Sequence, residues 1–125
     1  MTFEELYHIA KAKIKPRSIS RSSEAGTVAA AVLTESGNVY TGVSIDTPCS
    51  MGYCAEHNAI GTMITAGESK VVKMVAVTEG GQIVPPCGRC REFVYQVDDA
   101  NGACEVLMPN DEIKTIAELL PYPWN

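Results

Sequence analysis

No stretch of this chain approaches the roughly 20 apolar residues of a membrane-spanning helix, and no basic stripe marks a surface for nucleic acid. The formal net charge is −5, the wrong sign for a protein that wraps a phosphate backbone. Neither a membrane nor a nucleic-acid partner is therefore expected. The densest basic stretch, Lys11, Lys13, Lys15, Arg17 and Arg21, reads as the solvated side of an N-terminal helix and its exit loop. The opening Met1-Thr2-Phe3-Glu4-Glu5 is acidic and lacks the apolar core of a secretory leader. Five cysteines are an odd number and suit no closed disulfide framework, so they read as thiols in a reducing, cytoplasmic compartment. Internal repeats, low-complexity segments and interdomain linkers are absent too. With 125 residues, 46% of them hydrophobic, one soluble domain spanning residues 1–125 is expected.

Local signals place the elements. Thr2 with Glu5 forms a capping box, and Phe3, Leu6, Tyr7, Ile9, Ala10 and Ile14 follow helical spacing until Pro16. The serine-rich stretch Arg17 to Gly26 reads as a loop. Thr27–Thr34 and Val39–Ile45 read as strands joined by the turn Glu35-Ser36-Gly37-Asn38. A helix over Cys54–Ala66 ends at Gly67, and Val71–Thr78 is a buried strand. Pro85-Pro86 forces an extended approach to a helix over Gly88–Val97, followed by a loop at Asp98–Gly102. Ala103–Met108 is a fourth strand, and a short fifth is expected over Glu112–Lys114. Thr115 caps a last helix that stops at Pro121. This alternation argues for an α/β fold, a three-layer α/β/α sandwich.

Against that background, two cysteine clusters stand out: Cys54-Ala55-Glu56, and Pro86-Cys87-Gly88-Arg89-Cys90. Each lies at a predicted helix start, where free backbone N–H groups favour thiolates. Cys87 and Cys90 are one helical turn apart and can face one ion. Three protein ligands with an open fourth position are the pattern of a catalytic zinc. Glu56 lies two residues after Cys54 and can reach the open position as a proton carrier without being a ligand. His57 and Arg91 are candidate hydrogen-bond donors to the sulfurs, offsetting the negative charge of three thiolates. Two other readings stay open. The CxxC pair suits a redox dithiol, and Cys49 or Cys104 could complete a closed four-cysteine zinc. Cys104 falls in a predicted strand and reads as a small core residue. His8 reads as ordinary helix surface, and Tyr53 either lines a pocket or fills space beside a helix start.

These motifs make the chain resemble the cytidine deaminase superfamily. The matching residues are Ala29-Ala30-Ala31, the Gly37 turn, Tyr40-Thr41-Gly42-Val43, Cys54-Ala55-Glu56 with Ala59, Pro86 to Arg91, and Glu118-Leu119-Leu120-Pro121. They run from about Thr27 to Trp124, and the two cysteine motifs together are highly specific. The resemblance implies a mixed sheet of about five strands between helices, a homotetramer, and zinc held by Cys54, Cys87 and Cys90. It implies hydrolytic loss of the 4-amino group from a small-molecule cytosine nucleoside, with Glu56 carrying protons. The backbone around Ala55 and Cys87 would contact the base. Nucleoside deaminases of this kind carry an asparagine and a glutamate on the ribose. Ser44 and Asp46 stand in their places, each with a shorter side chain. The usual aromatic near Gly26-Thr27 is missing, His57 replaces a common arginine, and Pro85 replaces a common serine or threonine. The short chain and the ending Leu120-Pro121-Tyr122-Pro123-Trp124 are also similar to blasticidin S deaminases, whose cytosine carries an extended group in place of ribose.

Overall fold

A computed structural model describes residues 1–125. Helix α1 (Phe3–Lys11) starts where expected: Thr2 Oγ1 accepts the Glu5 N–H at 3.1 Å, and Glu5 Oε1 accepts the Thr2 N–H at 3.2 Å. The strands are β1 (Arg17–Ser18), β2 (Glu24–Thr34), β3 (Val39–Asp46), β4 (Val71–Thr78), β5 (Glu105–Leu107) and β6 (Ile113–Thr115). The remaining helices are α2 (Ala55–Thr65), α3 (Gly88–Val97) and α4 (Ile116–Leu119), the last opened by a Thr115–Glu118 capping box.

The strands form one mixed sheet. β2 pairs antiparallel with β3 and with β4, β4 pairs parallel with β5, and β5 pairs antiparallel with β6. Ala25 of β2 pairs with Ile45 on one side and Arg17 on the other. β1 therefore lies along the β4 edge of β2, and six strands fill five positions, in line with the expected sheet of about five.

Alternation along the strands sorts the core into two layers. Ala30, Val32, Met74, Ala76 and Val106 pack with Ala59, Ile60 and Met63 of α2, Val94 of α3 and Ile116 of α4. Ala31, Leu33, Val75, Val77 and Leu107 point the other way and meet Leu6 and Ala10 of α1. Both faces are covered, which is why β2 and β4 read as nearly unbroken apolar runs. Gly42 lets α2 lie close against β3: a Cβ there would sit 2.3 Å from the Ala59 backbone nitrogen.

Helix α1 stops at Lys11, short of the Ile14 that the spacing included, and two strand expectations shift as well. The serine-rich loop contains β1, and β2 starts at Glu24 instead of Thr27. The strand expected over Ala103–Met108 is β5 and runs Glu105–Leu107, because Asp99–Ala103 winds into a 3-10 turn around Asn101. Cys104 thus ends that turn and is not in a strand, although it is buried as expected. Asn101 is fully buried. It accepts the Val71 N–H at 2.8 Å and donates to the Ser69 and Val94 carbonyls at 2.9 Å each. Asn101→Leu strips those three backbone groups of their partner at about 1–3 kcal/mol apiece. Urea unfolding should show a loss of roughly 3 kcal/mol or more with an unchanged m-value. A loss under about 1 kcal/mol would contradict the role.

Candidate active site

The turn into α2 and the turn into α3 bring the two cysteine clusters together. Cys54 is the N-cap of α2, Cys87 is the N-cap of α3, and Cys90 lies in the first turn of α3. Neither cap uses a side-chain hydrogen bond to the helix. Cys54 Sγ lies 3.6 Å from Cys87 Sγ, which lies 3.5 Å from Cys90 Sγ, and all three sulfurs are within 4.8 Å of one another. Four ligands at a Zn–S distance of about 2.3 Å on a tetrahedron stand about 3.8 Å apart. The three thiols therefore fit zinc with little movement. No other histidine, cysteine or carboxylate joins the cluster. Cys49 is exposed, and the Cys104 thiol is turned to the Glu105 carbonyl at 3.6 Å. The closed four-cysteine alternative therefore lacks its fourth thiolate. A redox pair of Cys87 and Cys90 leaves the converging third sulfur without a purpose.

Burial holds the Cys54 thiol above its ordinary value, and more strongly that of Cys90, where the Glu56 charge adds to it. Burial also opposes ionisation of Cys87. The backbone N–H groups of Cys90 and Arg89, together with the adjacent sulfurs, outweigh it and bring that thiol down. A cation is the natural counterweight for the set.

Glu56 is the second residue of α2 and only 5% exposed. Burial raises its pKa, and the one donor opposing that rise is its own backbone N–H. His57 lies flat on Phe93, with ring centroids 4.2 Å apart and an 8° interplanar angle. Its Nδ1 stands 3.1 Å from Cys90 Sγ. Burial and the Arg89 charge lower its pKa, so the ring is neutral near pH 7. Against a Cys90 thiolate, Nδ1 must carry the proton for that contact to attract. Arg91 corrects the expectation made for it. Its Nε donates to the Pro86 carbonyl at 2.8 Å and its Nη1 to the Leu119 carbonyl at 3.2 Å, so it ties the approach to Cys87 to α4 and does not reach a sulfur.

A cavity of about 490 Å³ opens over this cluster. Cys54, Ala55, Glu56 and Cys87 line it, as do Ser44 and Asp46 from β3. Ser44 differs from expectation in one respect. Its Oγ already accepts the Val28 N–H at 3.1 Å and lies 3.3 Å from Thr27 Oγ1, a contact in which either hydroxyl can donate, so Ser44 is partly engaged before any ligand arrives. Asp46 is exposed at the end of its strand. Tyr53 also lines the cavity, fixed by a two-way backbone bridge to Ile45 at 3.1 and 3.0 Å.

Among the wall residues that sequence reading did not place in a site are Val28, Ile45, Thr47 and Val84, while Thr27 and Pro85 were noted only as departures from the family pattern. Thr27 and Val28 reach the cavity through a bulge. Ala25 pairs with Ile45 but Ala29 pairs with Val43, so β2 carries extra residues there and the sheet edge opens. Gly26 was the available signal. Its φ is +90°, and a Cβ there would lie 2.1 Å from the Lys15 carbonyl oxygen, so only glycine fits.

Comparison with known proteins agrees with this geometry. Residues 2–104 match the family model described as the cytidine and deoxycytidylate deaminase zinc-binding region. A cytidine deaminase of Sporosarcina psychrophila is 38% identical over 101 residues, covering 75% of this chain and 71% of its own. One from Halalkalibacterium halodurans is 31% identical over 97 residues, covering 75% and 74%. The crystal structure of cytidine deaminase from Mycobacterium leprae superposes with a TM-score of 0.82 at 25% identity, covering 98% of this chain and 99% of that one.

Proposed function

Because this chain belongs to the family of the cytidine and deoxycytidylate deaminase zinc-binding region, we infer that it is a zinc-dependent hydrolase that removes the 4-amino group of a cytosine nucleoside, giving the uracil nucleoside and ammonia. One observation carries the reading: three sulfurs are spaced for zinc, and two of them, Cys54 and Cys87, line one cavity with a buried, non-ligand Glu56.

Cys54, Cys87 and Cys90 would hold the metal. When bound, zinc supplies an acidified water at neutral pH. Glu56 accepts a proton from the water that adds to C4 of the ring and delivers it to ring N3. It then moves the remaining hydroxyl proton to the amine, which leaves as ammonia while C4 becomes a carbonyl. The free N–H groups at the start of α2, around Ala55, face the base. His57 steadies Cys90, and Arg91 holds the Pro86 approach. Ser44 and Asp46 meet the sugar.

The test is ammonia release from cytidine, 2′-deoxycytidine and adenosine, measured alongside zinc content. Turnover of both cytosine nucleosides and not of adenosine is expected. Zinc-loaded protein that releases ammonia from no cytosine compound would end the reading.

The sugar end should discriminate weakly. Asp46 is exposed and short, and the Ser44 oxygen is already engaged. A site that pairs a hydroxyl tightly rejects analogues lacking it; a partly hydrated one does not. Cytidine and 2′-deoxycytidine should therefore turn over similarly. Asp46→Ala should raise KM more than it lowers kcat, since a sugar contact is shared by ground and transition states. Unchanged kinetics for every accepted nucleoside would remove Asp46 from the site.

A homotetramer working in pyrimidine salvage in the cytoplasm completes the reading. Exposed Ile64, near the end of α2, and exposed Met51, in the turn before α2, are apolar surface that an oligomer would cover. Sedimentation at micromolar concentration should show a closed oligomer, and a pure monomer would contradict it.

A further inference from the structure

His57 supplies the one side-chain nitrogen within hydrogen-bonding distance of any of the three sulfurs, its Nδ1 standing 3.1 Å from Cys90 Sγ. Polar groups do little to hold that ring. One imidazole nitrogen is usually aimed by a hydrogen bond that the other makes. Here Nε2 makes none to the protein, and the adjacent Asn58 gives its amide to the Val43 carbonyl at 3.1 Å. One helical turn on, Gly61 brings no side chain against the ring, and both residues border an open hollow of about 680 Å³. The last torsion of a histidine is broad, so an unsupported ring would swing its nitrogen off the sulfur. Phe93 supplies the support. It lies three residues after Cys90, on the same face of α3, and packs half-buried against the core. Its ring is stacked on His57, with 4.2 Å between centroids and 8° between planes. The stack fixes the plane of the imidazole. Of the two flips left in that plane, one puts Nδ1–H on Cys90 Sγ and the other puts a ring carbon there.

We propose that Phe93 is a positioning residue for the metal centre, acting through His57: its ring face holds the imidazole in the plane that keeps Nδ1–H on the Cys90 sulfur. The proposal rests on the zinc-deaminase reading and deepens it. A donor held on a ligand sulfur orients that sulfur and spreads its charge. Removing such a partner commonly weakens metal binding about 10–100-fold. Phe93 touches no sulfur and lines no part of the cavity over Glu56, so its effect reaches the metal only through the ring it supports.

The test measures zinc affinity by competition with a chelating dye. Phe93→Leu keeps an apolar side chain against the core but loses the flat face, and should bind zinc about tenfold more weakly. Phe93→Tyr keeps the face and should stay within about twofold of the unaltered protein. His57→Ala should also cost about tenfold, and adding Phe93→Leu to it no more than about a further twofold, because a support with nothing to hold has no effect. A purely structural Phe93 predicts additive losses instead. The chain has two histidines, His8 and His57, so NMR of the unaltered zinc-loaded protein reads the ring directly and depends on no variant folding. The His57 proton should sit on Nδ1, and the ring protons should be shifted upfield by the Phe93 face. Unshifted ring protons, a proton on Nε2, full affinity in Phe93→Leu, equal losses in Phe93→Tyr and Phe93→Leu, or additive losses each overturn the role. Zinc-loaded protein that passes these tests but releases ammonia from no cytosine compound overturns the deaminase reading and leaves the role of Phe93 standing. Unaltered protein that takes up no zinc overturns both.

Discussion

Glu56→Gln is expected to abolish turnover while leaving the fold and the zinc in place. The substitution keeps the size and shape of the side chain at a position that is 5% exposed. It removes the carboxylate that the proposed mechanism uses to accept and return a proton. A positioned proton carrier contributes about 10²–10⁴-fold in rate, or roughly 3–5 kcal/mol of barrier. In the proposed mechanism Glu56 serves at least two transfers in one cycle, so the loss should reach the upper end or beyond. Stability should move the other way. No side-chain donor from the protein satisfies the carboxylate, and its own backbone N–H is the one group offsetting its burial. A neutral amide escapes the cost of burying a charge. Thermal melting should therefore show an equal or higher Tm, and elemental analysis an unchanged zinc content. A variant keeping more than about a tenth of the activity would remove Glu56 from the proton path. A variant that loses zinc would make it a ligand instead.

The chemistry was easier to read from the sequence than the cavity that contains it, for a physical reason. Thiols at helix starts follow from short-range spacing, so Cys54, Cys87 and Cys90 converge as expected, and α3 has the expected bounds Gly88–Val97. β4 likewise runs Val71–Thr78 as expected, because burial on both faces leaves an unbroken apolar run. The cavity walls depend on register between distant strands. Val28 reaches the site because β2 bulges against β3, and Ser44 gives its oxygen to that bulge. Neither residue advertises this locally. Arg91 shows the same limit. Adjacency to Cys90 suggested a sulfur partner, but the side chain finds carbonyls at Pro86 and Leu119, the second of them 28 residues away. β1 was hidden because two polar residues carry no periodicity, and it forms only where Ala25 and Glu24 offer a free edge. Asn101 looked like ordinary loop polarity; its burial is decided by three backbone groups that fold brings around it.

Replacing Cys87 and Cys90 together by serine should take zinc from about one per chain to near zero, and activity with it. Serine is nearly isosteric, but its hydroxyl does not ionise at neutral pH and is a harder, weaker ligand for zinc. One remaining thiolate, Cys54, cannot hold the metal alone. The variant should still fold. Its apolar core lies in two layers on either side of the sheet, and only Cys90 of the three sulfur positions is fully buried. It should nevertheless melt earlier, because a ligand that binds only the folded state stabilises it by mass action. At a free metal level about a thousandfold above Kd that amounts to about 4 kcal/mol. For a chain of this size the shift is roughly 10–20 °C. Chelation of the unaltered protein should produce a similar drop, reversed by adding zinc. Cys49→Ala and Cys104→Ala are the controls. Both should keep full zinc and activity, since one thiol is exposed outside the cluster and the other faces the Glu105 carbonyl. Zinc retained after the double substitution, or lost in either control, would require a different set of ligands.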